Sequence, residues 1–179
     1  MGIHRQVAQL GERCIRSRAK KVLNGNFART QKTIEDLIDS MRFHELVGMA
    51  APQIGIPLRI FITEIRATKL RKGQGAHNAD VLRVFMNPVI ISKSKQLKTG
   101  YEGCGSVANV GLFGKVKRSN SVTIRAQDRA GKPFVLKANH LLARVIQHEC
   151  DHLNGIVFTD VADPLSFMSR SEYLRKFRK

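Results

Sequence analysis

The chain has 179 residues, 42% hydrophobic and 25% charged, a composition typical of one globular domain and too short for two full-sized ones. Lys and Arg number 31 against 14 Asp and Glu, so the formal charge is +17, which favours polyanionic partners such as nucleic acid, the ribosome or an anionic membrane surface. No segment is apolar enough to span a bilayer, and three cysteines without disulfide-framework spacing favour a reducing compartment.

The first half of the chain predicts a helix followed by strands. Apolar residues recur at helical spacing over residues 31–45, which indicates an amphipathic helix with one buried face. Segments 58–65 and 81–91 are rich in Ile, Val and Phe and predict strands, with an exposed Gly-containing loop at 73–75 between them. Pro88 indicates a sheet edge or a bulge in the second strand, because proline cannot donate to a ladder.

The second half predicts a hairpin, a helix and a basic end. Strand-like segments 121–126 and 134–138 flank a turn-rich sequence, as in an antiparallel hairpin. A helix is then expected over 139–153, with an asparagine cap at its start and Asn-Gly at its end. Residues 156–158 could form a short strand, and 164–179 predict a basic amphipathic helix.

His148 and His152 carry the strongest chemical signal. They lie four residues apart on the predicted helix, where this spacing places both imidazoles on one face and within reach of one metal ion. Glu149 follows the first histidine directly and could contact a metal-activated water without ligating the ion. Two unrelated surface histidines are the alternative for this segment alone. Cys150 lies on the far side of the helix and is expected in the core.

Cys104 is the candidate for a third metal ligand. A catalytic metal site needs three protein ligands and one open position, and no downstream pattern matches the third ligand of a zinc peptidase. Cys104 stands between Gly103 and Gly105, which would let the backbone approach a ligand closely. A small buried hydrophobic residue is the alternative for a lone cysteine, and spacing alone leaves both interpretations open.

Three segments together resemble the signature motifs of peptide deformylases. They are GMAAPQIG at 48–55, EGCGS at 102–106 and QHECDH at 147–152, in the family's order. The resemblance extends from the Gln9-Leu10-Gly11 segment to Asp160 and therefore covers most of the chain. It implies one catalytic domain over 1–179 with an α+β fold, in which short antiparallel β-sheets surround a central metal-binding helix.

The resemblance also implies a metal-dependent hydrolase. Its substrate would be an N-formylmethionyl nascent peptide, and its products formate and a free amino terminus. Cys104, His148 and His152 would bind one divalent ion, Fe(II) in the cell by family analogy. Zn(II), Ni(II) and Co(II) also suit one thiolate and two imidazoles.

Three further residues acquire catalytic roles from the resemblance. Glu149 would take a proton from the attacking water and hand it to the departing amine. The Gln53 side-chain amide and the Gly105 backbone N–H would donate to the oxyanion that develops on the formyl group.

Five residues are expected to bind the peptide. The backbones near Val47, Gly48 and Gly103 would pair with an extended substrate as an added strand. Leu141 and Val145, about one helical turn before the metal ligands, would contribute to an apolar pocket for the methionine side chain.

Two positions depart from the family's usual pattern. Leu46 stands where a glycine is usual, and Gly105 where a leucine is common. Because the proposed donor at Gly105 is a backbone group, catalysis can survive the change, although a bare glycine is expected to be more flexible and to widen the pocket entrance. Arg118 could pair with Glu102 to brace the cysteine loop.

The basic surface supports a second hypothesis. A catalytically weak or inactive paralogue could use it to bind nascent chains or the ribosome. The basic residues are spread along the chain, as on an ordinary solvated surface, and neither a base-reading motif nor a base-stacking platform is evident. A cytoplasmic, bacterial-type location is expected. An organellar location is the alternative, because the chain begins with an Arg-rich, acid-poor segment.

Overall fold

The computed structural model describes residues 3–23, 27–68 and 79–177. Within them the helices are α1 (Arg13–Arg16), α2 (Phe27–Phe43), α3 (His140–His152) and α4 (Arg170–Phe177). The strands are β1 (Gly48–Ala50), β2 (Ile60–Ile65), β3 (Asp80–Lys93), β4 (Leu97–Gly103), β5 (Leu112–Ser119), β6 (Ser121–Gln127), β7 (Pro133–Asn139) and β8 (Met168–Ser169). The loop predicted at 73–75 and the last two residues of the predicted C-terminal helix lie outside the described residues.

The strands form two antiparallel sheets. The larger has the order β1-β2-β3-β6-β7 and the smaller β4-β5-β8, and all their strand pairs are antiparallel. The predicted hairpin is β6 and β7, paired from Ser121↔Asn139 to Gln127↔Pro133. These observations confirm the α+β fold with antiparallel sheets. They also leave β1 and β4 as edge strands, one in each sheet.

Helix α3 packs against strands of both sheets. Its inner face carries Ile146 and Cys150, which are buried together with Phe61 and Phe85 of the larger sheet. Each fully buried large apolar side chain stabilises the fold by about 1.5–3 kcal/mol relative to exposure. Cys150 is therefore a core residue on the side of α3 away from His148, as predicted.

Helix α2 covers the opposite face of the same sheet. Successive side chains of a strand point to opposite faces, so Phe61 faces α3 while Ile60 and Ile62 pack with Leu37 and Met41 of α2. This explains why β2 is buried at nearly every position. No helix within the described ranges is long and apolar enough to cross a membrane.

Pro88 lies in a bulge of a central strand. β3 pairs with both β2 and β6, and its register with β6 shifts between Met86 and Val89. Asn87 has a φ of 49°, and its side chain bonds to the backbone of Val22 at 2.8 and 3.0 Å. Of the two predicted possibilities, edge or bulge, the bulge is the one found.

Two predictions for the end of the chain were wrong in detail. Instead of a strand at 156–158, a short 3-10 helix spans Phe158–Asp160, because the Asp160 carboxylate accepts the Val157 N–H at 2.9 Å. The C-terminal segment does not become helical at 164. A 3-10 turn at Pro164–Ser166 and strand β8 come first, since Met168 pairs with Phe113 of β5.

Candidate metal centre and active site

The structure brings Cys104, His148 and His152 together. One potential ligand atom from each lies within 4.8 Å of the other two, and Cys104 Sγ is 3.2 Å from His152 Nε2. The two imidazole centroids are 4.9 Å apart, as expected for residues one turn apart on α3. The cysteine comes from the end of β4, so the smaller sheet supplies one ligand and the central helix two.

The environment of Cys104 favours the thiolate that binds metals. Burial alone would raise the pKa of this thiol, but the adjacent His152 and His148 rings outweigh burial and hold the pKa well below its ordinary value. The Ser106 backbone N–H also donates to Sγ at 3.3 Å. A low thiol pKa makes the anionic ligand available at neutral pH.

Glu102 is the centre of a buried ionic network beside the ligands. It accepts Arg118 Nε at 3.0 Å and Nη2 at 2.9 Å, and Arg144 Nη1 at 2.7 Å. His148 Nδ1 lies 3.0 Å from Glu102 Oε2, so Nε2 is left for a metal ion. Arg118 also pairs with Asp151. The predicted Arg118–Glu102 brace is confirmed.

Glu149 is buried beside the ligands. Its residue is only 3% exposed, and burial raises the pKa of its carboxyl to about 7 despite the neighbouring His148 and His152 rings. Its Oε2 is buried and has no hydrogen-bond partner among the described residues. Because buried polar atoms are normally satisfied, the cluster fits a centre completed by an ion and its water.

The Gln53 side chain is oriented toward the same centre. Its Oε1 accepts the Ala50 backbone N–H at 2.8 Å, which leaves the amide NH₂ to face Ser106 Oγ at 3.3 Å and Cys104 Sγ at 3.6 Å. The backbone of β1 thus engages the side-chain carbonyl of Gln53, and the amide N–H donors of Gln53 point to the metal-ligand cluster.

A cleft of about 360 Å³ opens onto this cluster. Val47, Gly48, Gly103, Leu141 and Val145 all line it, as do Gln53, Gly105, His148 and Glu149. Gly48 has no room for a side chain, because a Cβ would lie 2.5 Å from Glu149 Oε1 and 2.6 Å from Val145 Cγ1. The glycine therefore lets Glu149 and Val145 of α3 lie close against the backbone of β1.

The expected widening of the entrance at Gly105 is wrong. A Cβ built on Gly105 would lie 2.9 Å from Leu46 Cδ1 and 3.4 Å from Val7 Cγ1. Leu46 and Val7 therefore occupy the space beside the glycine, and Gly105 is buried. The two departures from the family pattern meet at one point.

Two residues that line the cleft, Arg144 and Tyr173, were not predicted from the sequence. Arg144 lines the cleft and joins the Glu102 network, and its position four residues before His148 could have indicated this. Tyr173 of α4 also lines the cleft, and its ring stacks on Phe113 with centroids 4.1 Å apart. No local signal predicts the second contact, because it joins distant segments of the chain.

Comparisons with known proteins agree with this site. The family model described as polypeptide deformylase matches residues 4–167. Peptide deformylase 1 of Bacillus subtilis is 43% identical over 129 residues, which cover 72% of this chain and 72% of that protein. A peptide deformylase of Microchaete diplosiphon is 37% identical over 158 residues, covering 88% and 79%.

Solved structures show the same relationship. A peptide deformylase from Legionella pneumophila has a TM-score of 0.77 at 35% identity, covering 97% of this chain and 93% of that one. An actinonin-bound class I type b peptide deformylase from Acinetobacter baumannii has a TM-score of 0.79 at 28% identity, covering 90% and 100%. The chain belongs to the peptide deformylase family, whose members are metal-dependent hydrolases.

Proposed function

We propose that this protein removes the formyl group from N-formylmethionyl nascent peptides and releases formate. The observation that carries the proposal is the convergence of three candidate metal-ligand side chains, a buried carboxylate and an oriented amide beside a cleft of about 360 Å³. Cys104, His148 and His152 would hold the divalent ion. A bound ion would supply a Lewis acid that makes water a nucleophile near neutral pH.

Glu149 acts as the general acid and base. A carboxyl whose pKa lies at about 7 is poised both to accept a proton from the attacking water and to return it. Its free oxygen, Oε2, is the acceptor for that proton, and the departing amine of the methionine residue then receives it. Burial excludes bulk water as a competing proton donor.

Gln53 and Gly105 stabilise the charge that develops on the formyl oxygen. The Gln53 amide has its carbonyl engaged by Ala50, so it can reach the oxyanion only as a donor. The Gly105 backbone N–H has no protein acceptor among the described residues and supplies the second hydrogen bond. Two prealigned donors act without reorganisation during the reaction.

The substrate binds as a strand between the two sheets. β1 and β4 are the edge strands of their sheets, and an edge strand offers unpaired backbone groups to an extended peptide. Val47 and Gly48 would pair on one side and Gly103 on the other. The methionine side chain then enters the part of the cleft lined by Leu141 and Val145.

Formate release from a formyl-Met tripeptide tests the proposal. Protein prepared anaerobically with Fe(II) is compared with Ni(II) protein, with Glu149→Ala as the catalytic control. Release that requires both metal and Glu149 is expected. A folded, fully metallated protein that releases no formate would refute it.

We further propose Fe(II) as the metal in the cell by analogy with the family, since the one-thiolate, two-imidazole ligand set accepts several divalent ions, Fe(II) among them. Zn(II), Ni(II) and Co(II) are the alternatives. Metal analysis of protein purified under anaerobic conditions distinguishes them, and a preparation that retains stoichiometric zinc but no iron would contradict this assignment.

The basic surface favours a second property, association with the ribosome. The formal charge of +17 predicts attraction to RNA-rich particles that weakens as salt rises. Co-sedimentation with ribosomes at low and high salt tests this association. Salt-sensitive binding without formate release would favour the inactive-paralogue alternative. The absence of binding at low salt would count against ribosome association, whether the protein is active or inactive.

We also propose a cytoplasmic location. It rests on the similarity to bacterial relatives such as that of Bacillus subtilis. A relative from Arabidopsis thaliana is named chloroplastic/mitochondrial, and cell fractionation decides between these compartments.

A further inference from the structure

We propose that Leu46 is the residue that positions the Gly105 backbone N–H for the oxyanion. Leu46 does so by filling the space that a side chain at 105 would otherwise take. The inference rests on the proposed function and concerns one contact across the cleft, between the segment before β1 and the turn after Cys104.

The contact between Leu46 and Gly105 is steric. A Cβ at 105 would lie 2.9 Å from Leu46 Cδ1 and 3.8 Å from Cδ2, closer to Cδ1 than real Cβ contacts come. Gly105 is not among the residues with positive φ, so its backbone does not itself require glycine. A side chain at 105 would instead require the Leu46 side chain to shift.

Leu46 is held in place by hydrogen bonds of its backbone and by packing of its side chain. Its N–H donates to Met41 O at 2.9 Å, and its carbonyl accepts Arg66 Nη2 at 3.1 Å. Arg66 is in turn paired with Glu64 at 3.2 Å. The leucine side chain is half-buried against the core between α2 and the larger sheet. Both its backbone and its side chain therefore have fixed partners.

Gly105 is held by hydrogen bonds to its backbone alone. Its carbonyl accepts Gln9 Nε2 at 2.9 Å and the Ala108 N–H at 3.3 Å, and the Cys104 carbonyl in the peptide unit before it accepts the Val107 N–H at 3.1 Å. Gly105 has no side chain with which to anchor its Cα. A glycine loses more conformational freedom on ordering than other residues do. Packing of Leu46 beside the Gly105 Cα limits the freedom that remains at this residue, which itself lines the cleft.

The consequence is a reciprocal pair. One bulky side chain, at 46 or at 105, can fill this space and hold the N–H of residue 105 in place. Bulky side chains at both positions would collide, and with small residues at both positions the N–H would be free to move. This chain has its leucine at 46, and the arrangement with glycine at 46 and leucine at 105 would satisfy the same requirement.

A double-mutant cycle on the metallated, full-length protein tests the pair. Leu46→Ala and Gly105→Leu are each expected to lower kcat by between about 10- and 100-fold with little change in KM. The reason is that a displaced N–H donor weakens the stabilisation of the transition state more than the binding of the substrate. The double variant is expected to recover activity, with a coupling of at least about tenfold in kcat.

Leu82→Ala is the matched control. Leu82 is another half-buried leucine that packs against the same core but does not line the cleft. The Leu82→Ala variant is expected to have lower thermal stability but an unchanged kcat. Leu46→Met, which retains a flexible apolar side chain of similar volume, is expected to keep most of the activity.

The outcomes separate this inference from the proposed function. If the wild-type enzyme is active and the kcat losses of the two single variants multiply in the double variant, the inference alone is overturned. The same holds if Leu82→Ala loses as much kcat as Leu46→Ala. A wild-type protein that is folded and metallated but releases no formate would overturn both, because the donor would then have no oxyanion to serve.

Discussion

Glu102→Gln tests whether the buried network both stabilises the fold and prepares the metal centre. Glu102 accepts four hydrogen bonds from Arg118, Arg144 and His148. The variant keeps the shape of the side chain but removes its charge and replaces one acceptor oxygen with an amide NH₂. If that NH₂ replaces Oε2, it faces Arg118 and His148, and their donors lose their acceptor.

The expected loss of stability follows from the burial of these groups. The side chains of Arg118 and Arg144 are only 9% and 16% exposed, and removing one partner of a buried ion pair typically costs about 3–5 kcal/mol. Asp151 still pairs with Arg118, so a loss of about 3 kcal/mol in the free energy of unfolding is expected. Urea unfolding with excess chelator measures it without a contribution from metal binding.

The metal centre should weaken in the same variant. His148 would lose the carboxylate that orients its ring, and removal of such a partner typically lowers metal affinity by about 10- to 100-fold. Competition for Zn(II) with a chromophoric chelator measures this change. An affinity within about twofold of wild type would refute the orienting role of Glu102.

Glu64→Gln is the matched control. Glu64 is also partly buried, at 16% exposure, and pairs with Arg42 and Arg66 away from the metal ligands. Stability should fall in this variant while metal affinity is retained. Equal losses of metal affinity in both variants would show that general destabilisation, rather than the contact with His148, weakens the site.

Three further predictions follow from the geometry. Gln53→Ala should lower kcat for formate release by about 10²- to 10³-fold with little change in KM, because it removes one of the two proposed oxyanion donors; an unchanged kcat would contradict that role. Gly48→Ala should nearly abolish turnover while the protein stays folded, because the new Cβ would lie 2.5 Å from Glu149 Oε1, and wild-type kinetics would show that the close approach is unnecessary. Asp36→Asn should reduce stability at neutral pH. Burial opposes ionisation of Asp36, but a backbone N–H and two basic side chains hold its pKa below the ordinary value, so the difference between the Asn variant and wild type in urea unfolding should vanish as pH falls through that pKa.

Two of the three candidate metal ligands could be predicted from the sequence because they leave a local signature. His148 and His152 are spaced by one helical turn, and the chain between them forms the expected helix. The hairpin β6–β7 is equally local, since alternating residues and a turn determine it within twenty residues of chain. Cys104 was ambiguous on spacing alone, and the structure brings it within 3.2 Å of His152.

Boundaries and irregular elements were less predictable. Helix α2 spans Phe27–Phe43 rather than 31–45, and Glu45, with a φ of 58°, leads the chain out of it. The short turn at Phe158–Asp160 depends on a single carboxylate that caps a backbone N–H. Such ends are decided by individual hydrogen bonds, which an apolar pattern does not encode.

The amino-acid sequence by itself determined the family motifs, the face of α3 that presents the histidines, and the antiparallel character of the sheets. Only the tertiary structure decided that Arg144 joins the Glu102 network, that Tyr173 lines the cleft, and that Leu46 fills the space beside Gly105. The physical reason is range. Periodicity and turn chemistry act between near neighbours, whereas these contacts join segments that meet only when the sheets and helices pack.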